Sequence, residues 1–288
     1  ALRRRDFRHS PRVRALLERL AGTPRDGGGI APKTPPVAEQ GDNSFVLRGW
    51  ADHAEEDRVS NLTYESSLCY DGHNNRVVMW GAHGRRYDTP QMAQTWFFDA
   101  ASAEWTRLTD SVHWPNGVCG VRGTAYDPAN RAVVSPRSGG HASHGWHNML
   151  RNATMHSSPW VLDVTTDQWY AARTFGDYWA GGYMPGSHDP RHGVTLWWNG
   201  ELRGFDVYAN LWFKLEPEGP APQAAYNTGG VFDPKTGRLI VIGARSTWAY
   251  DPSANAWTDL EPEGDHPPGC PMVYDSANDV MLAFKTVD

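Results

Sequence analysis

Three histidines spaced by three, His141, His144 and His147, sit in a segment punctuated by Gly139, Gly140 and Gly145. Neutral imidazole is the commonest protein ligand for zinc and copper, so this triplet is what the chain offers a metal. The glycines read as an irregular loop, and without a helix an i, i+3 spacing does not bring the rings to one side. The expectation is therefore no metal and no cofactor, with a divalent metal or copper on His141, His144 and His147 as the alternative. A second set is aromatic and basic: Tyr87, Trp114, Trp146, Tyr178 and Trp179, with His83, Arg85, Arg86, His113, His147 and Arg245 as donors. A sugar ring has an apolar C–H face and a rim of hydroxyls, which suits an aromatic platform bordered by Arg and His. A third set could remove a proton. Arg137 or Arg122 would neutralise the carboxylate of a uronic acid, while His141, His144 or Tyr183 takes the C5 proton and returns one to the leaving oxygen. Binding and β-elimination draw on the same residue types, so whether the chain is an enzyme stays open.

Composition limits what can hold these groups. With 29 Gly and 21 Pro against 40% hydrophobic residues, neither a helical bundle nor a disordered chain is expected. The 14 Trp are far above ordinary usage, and each indole needs a large packing site and a partner for its N–H. A net charge of −6 and a pI near 6.1 supply no global positive field for nucleic acid. No apolar run approaches the roughly 18 residues of a membrane helix, and the mean hydropathy is −0.60. Cys69, Cys119 and Cys270 lack a C-x-x-C spacing and read as buried free thiols, with one disulfide as the alternative. Two sequons, Asn61-Leu62-Thr63 and Asn152-Ala153-Thr154, tilt the location to the extracellular or periplasmic side. Arg3-Arg4-Arg5 precedes no apolar core, because Arg12, Arg14, Glu18 and Arg19 interrupt the next segment. Any export signal is thus expected to have been removed.

Ser10 and Pro11 form a cap and first-turn pair, and Val13, Leu16, Leu17 and Leu20 recur at helical spacing before Gly22, which predicts a short helix over 11–21. Residues 23–43 are Gly- and Pro-rich and read as an extended arm, so residues 1–43 are one region and 44–288 the main domain. Within that domain a unit repeats. Tyr70-Asp71, Tyr126-Asp127, His188-Asp189, Phe232-Asp233 and Tyr274-Asp275 each lead through a turn into an apolar run such as Val77-Val78-Met79-Trp80 or Leu239-Ile240-Val241-Ile242. A third strand carries a second aspartate, Asp99, Asp163, Asp206 or Asp251, and a fourth carries Trp105, Trp169, Trp212 or Trp257. These tryptophans lie 64, 43 and 45 residues apart, a unit of about 44 with an insertion in the second copy. Short antiparallel strands at that period predict an all-β propeller, because one four-stranded blade cannot bury its two apolar faces alone.

The Asp-turn, apolar run, Gly-containing step and closing Trp resemble the Kelch repeat, of the kind that builds the propeller of galactose oxidase. The resemblance covers residues 64–288, with blades near 64–108, 119–173, 179–216 and 224–260 and a partial one at 270–288. Two departures stand out: the paired glycines the family places after the second strand survive only as Gly139-Gly140, and the repeats amount to about four and a half blades. The apolar run Val280-Met281-Leu282-Ala283-Phe284 then needs cover. Further residues of the same polypeptide, a neighbouring subunit or additional chain, or the arm with Phe45, Val46, Leu47 and Trp50 could supply it. The resemblance also raises copper radical oxidase chemistry, but that needs an adjacent Tyr-His pair, and the chain contains no such dipeptide.

In such blades the long connections share one face, which collects His83, Arg85, Arg86, Tyr87, His113, Trp114, Arg137, His141, His144, His147 and Arg151, joined by Tyr178, Trp179, Tyr183, Arg245 and His266. His73, His188 and His192 fall in turns on the other face, and Trp105, Trp169, Trp212 and Trp257 are core. The expectation is an extracytoplasmic propeller binding a glycan or an extracellular protein through the long-loop face. The alternatives are a uronate polysaccharide lyase, then an oxidase or a subunit of a homo-oligomeric or mixed assembly.

Overall fold

The computed structural model describes residues 67–80, 95–109, 123–136, 159–172, 185–223, 229–264 and 270–284. The helix expected over 11–21, the arm, and Phe45, Val46, Leu47 and Trp50 lie outside them. Eighteen strands are described. The first sheet holds β1 (Ser67–Asp71), β2 (Arg76–Trp80), β3 (Thr95–Asp99) and β4 (Glu104–Arg107), and the second β5 (Ala125–Asp127), β6 (Ala132–Ser135), β7 (Trp160–Asp163) and β8 (Gln168–Ala171). The third holds β9 (Gly186–Asp189), β10 (Val194–Trp198), β11 (Leu202–Asp206) and β12 (Leu211–Leu215). The fourth holds β13 (Gly230–Asp233), β14 (Arg238–Ile242), β15 (Thr247–Asp251) and β16 (Ala256–Asp259), and β17 (Met272–Asp275) pairs with β18 (Val280–Ala283). All pairings are antiparallel between neighbours in sequence. These are propeller blades: four complete ones, and two strands of a fifth.

One local device makes the hairpins. Wherever a first strand turns into a second, or a third into a fourth, an aspartate ends the leading strand and the residue four positions later has a positive φ. The first-to-second turns place Asn75 (56°), Arg131 (51°), Gly193 (68°), Gly237 (75°) and Asp279 (55°) there, and the third-to-fourth turns place Ala103 (58°), Asp167 (54°), Asn210 (50°) and Asn255 (48°). Gly, Asn and Asp tolerate that left-handed conformation with least strain, which explains seven of the nine positions. The aspartate Oδ1 accepts a backbone N–H two or three residues on in every case, for example His73 N at 3.0 Å on Asp71 and Lys235 N at 2.9 Å on Asp233. This Asx turn satisfies amides that the ladder cannot reach.

The chain divides into two compact units between Ala172 and Arg173. In the unit holding β1–β8, Val78, Trp80, Phe97, Val133, Trp160, Leu162 and Trp169 form the core between the two blades. The Trp80 indole N–H donates to Thr124 Oγ1 at 2.9 Å, and that of Trp169 donates to Thr95 Oγ1 at 2.9 Å, so each blade anchors an indole of the other. Thr124 N–H donates to Ser67 Oγ at 3.1 Å, and Asn74 Nδ2 donates to Val164 O at 2.7 Å. The unit holding β9–β18 repeats the scheme: Phe232 N–H donates to Ser187 Oγ at 2.8 Å, and the Arg191 guanidinium donates to Pro234 O and Lys235 O at 2.9 and 3.0 Å. Its core includes Val194, Leu196, Trp198, Leu202, Phe213, Val241, Tyr250 and Trp257. Gly204 is required there, because a Cβ would lie 2.3 Å from the Phe213 ring.

The expected fourth-strand tryptophans fall on β4, β8, β12 and β16; Trp169, Trp212 and Trp257 are buried and Trp105 is half-buried. The need for an indole partner is not met throughout: the Nε1 atoms of Trp160, Trp198 and Trp257 are buried with no acceptor among the described residues. Packing area outweighs the hydrogen bond at those sites. His188 departs from its expected turn. It lies within β9, buried, with Nδ1 3.3 Å from Thr195 Oγ1, because the turn begins only after Asp189. Cys69 and Cys270 are free thiols, and Cys119 lies outside the described residues. No helix among the described residues is long and apolar enough to cross a membrane.

Candidate functional site

Antiparallel order puts the end of each second strand, the start of the third, the end of the fourth and the start of the first at one end of a sheet. In the unit of β1–β8 the two blades run the same way: Thr124 meets Ser67 at the strand starts, and Tyr126 approaches Gly72 at the far end. At the starting end, residues 81–94, 110–122 and 137–158 lie between described strands, whereas the far end is closed by the Asp turns. The chain leaves and returns at paired residues, Trp80 with Thr95 and Ser135 with Trp160. Those four are at most 2% exposed. Leu108 N–H donates to Thr95 O and Ala172 N–H to Pro159 O, both at 2.9 Å.

His83, Arg85, Arg86, Tyr87, His113, Trp114, Arg122, Arg137, His141, His144, Trp146, His147, Arg151, Tyr178, Trp179, Tyr183 and His266 all lie outside the described residues. Arg245 is described. It is exposed in the turn between β14 and β15, at the same end of its sheet as the turn between β10 and β11.

Glu201 in that second turn gathers two charged residues from the adjoining strands that the spacing did not single out. Arg203, on β11, is 4% exposed, and its Nη2 donates to Glu201 Oε2 at 2.6 Å. Lys214 Nζ, on β12, is 3.2 Å from Glu201 Oε1. The hydrogen bond from Arg203, then that from Lys214, holds the Glu201 carboxyl below its ordinary range despite partial burial. Lys214 and Glu201 are partly exposed and offer a donor and an acceptor to a polar ligand, whereas Arg203 is buried. Its one sequence signal is an arginine inside an otherwise apolar strand, Leu202-Arg203-Gly204-Phe205.

The far end reads differently. His192 is 3% exposed, with Nδ1 2.5 Å from Asp189 Oδ2. Its position in the turn is held by Asn74, Asn130, Thr236 and Asn278 in the other blades, each donating to the corresponding Asp Oδ2 at 2.6 to 2.8 Å. The imidazole thus does an amide's work, and its burial keeps it from substrate. Burial, reinforced by Asp71, pushes the Tyr126 hydroxyl up to about 12 and raises the Cys69 thiol, while burial and Asp189 raise Tyr250. These groups stay protonated at neutral pH and are not placed to act as bases there. Among the described residues no group of three or more His, Cys, Asp or Glu side chains could hold a metal ion.

No family model matches the chain, and no curated protein does. Solved structures do match. One, described as the structure of YjhT, superposes with a TM-score of 0.56 at 11% identity, covering 76% of this chain and 76% of that one. At that identity the likeness concerns the propeller fold alone.

Proposed function

We propose that this chain is a Kelch-type binding propeller acting outside the cytoplasm, and that it takes a glycan on the connections at the loop-bearing strand ends. The observation that carries the reading is the unequal use of the two ends. In the unit of β1–β8 the far end of each sheet spends its polar side chains on its own backbone through four Asx turns, at Asp71, Asp99, Asp127 and Asp163, whereas the other end is where the long connections leave and return at buried, paired residues. Aromatic residues outside the blade pattern, Tyr87, Trp114 and Trp146, belong to those connections, and so do Arg85, Arg86 and Arg137. Such residues match the apolar face and hydroxyl rim of a sugar. Residues 137–158 include two arginines and four histidines with no Asp or Glu, which favours an acidic glycan. The two sequons support the location.

The test is titration of the purified chain against neutral and uronate oligosaccharides, with Trp114→Ala and Trp146→Ala beside wild type. Loss of one stacking indole is expected to weaken binding by about 1 kcal/mol, roughly fivefold, with little change in melting temperature. Unchanged affinity in both variants, or binding of none of the glycans, removes the proposal. The same samples report elimination: growth of the ultraviolet absorbance of an unsaturated uronate, lost in His141→Ala or His144→Ala, would make the chain a lyase instead.

A further inference from the structure

We draw no further inference here: the strongest candidate, the exposed apolar face that Val273, Val280, Leu282 and the following Phe284 give the two-stranded sheet of β17 and β18, carries none because nothing in the structure shows what covers it.

Discussion

Replacing Asp71 with alanine separates the two roles of the turn aspartates, because Asp99 performs the same local task in a different place. Asp71 is fully buried and accepts His73 N at 3.0 Å, Asn74 N at 3.3 Å, Asn74 Nδ2 at 2.8 Å and Arg76 Nε at 3.0 Å. Asp99 is exposed and accepts Ala101 N at 2.7 Å and Ser102 N at 3.4 Å. Removing either carboxylate orphans turn amides, a loss comparable to an N-cap, about 1 kcal/mol. Removing Asp71 also strips one partner from Arg76, whose side chain is 15% exposed and retains Asp167. Breaking a buried pair costs roughly 3–5 kcal/mol, and the retained partner brings this to the lower end. Asp71→Ala is therefore expected to lose about 3–4 kcal/mol and Asp99→Ala about 1 kcal/mol. The assay is urea unfolding followed by tryptophan fluorescence and far-ultraviolet circular dichroism in parallel, since two units need not melt together. Equal losses in the two variants would show that the turn alone sets the cost and that burial of the Asp71–Arg76 pair adds nothing.

Gly204→Ala places a Cβ 2.3 Å from the Phe213 ring, and is expected to destabilise by about 1–3 kcal/mol; in Gly204→Ala/Phe213→Leu much of that strain should be relieved, and a double variant no better than the single would contradict the clash. Tyr126 has its hydroxyl pushed up to about 12 in the folded chain, above the ordinary tyrosine value of 10.0, so it stabilises fully below pH 10 and loses that contribution as pH rises towards 12. Tyr126→Phe should flatten the fall in melting temperature across that window, and an unchanged alkaline limb would refute the assignment. At the acid end the Glu201 carboxyl is lowered chiefly by Arg203, so its contribution is present above the ordinary glutamate range and fades as pH drops below it. Glu201→Gln should melt with a shallower acid dependence than wild type, and parallel curves would count against the ion pair.

Much of the blade was legible because its instructions are local. An aspartate followed four residues later by Asn, Asp or Gly encodes a turn through backbone sterics and one Asx hydrogen bond, and the tryptophan six residues after a third-strand aspartate enters the fourth strand, whatever surrounds them. The strand pattern, its period and the core status of Trp169, Trp212 and Trp257 come from that short-range logic. The candidate site was legible only as residue types on long connections, since neither composition nor spacing states how loop side chains converge. Tertiary structure decided everything that depends on a neighbour arriving from afar in sequence. Thr124 supplies the acceptor for the Trp80 indole and Thr95 the one for Trp169, while Trp160, Trp198 and Trp257 find none among the described residues. His188 became a buried strand residue and His192 the stand-in for an asparagine. Arg203, an unremarked arginine in the sequence, became a buried charge held by Glu201. Burial and pairing depend on which blades stack, and no window of sequence within one turn contains that information.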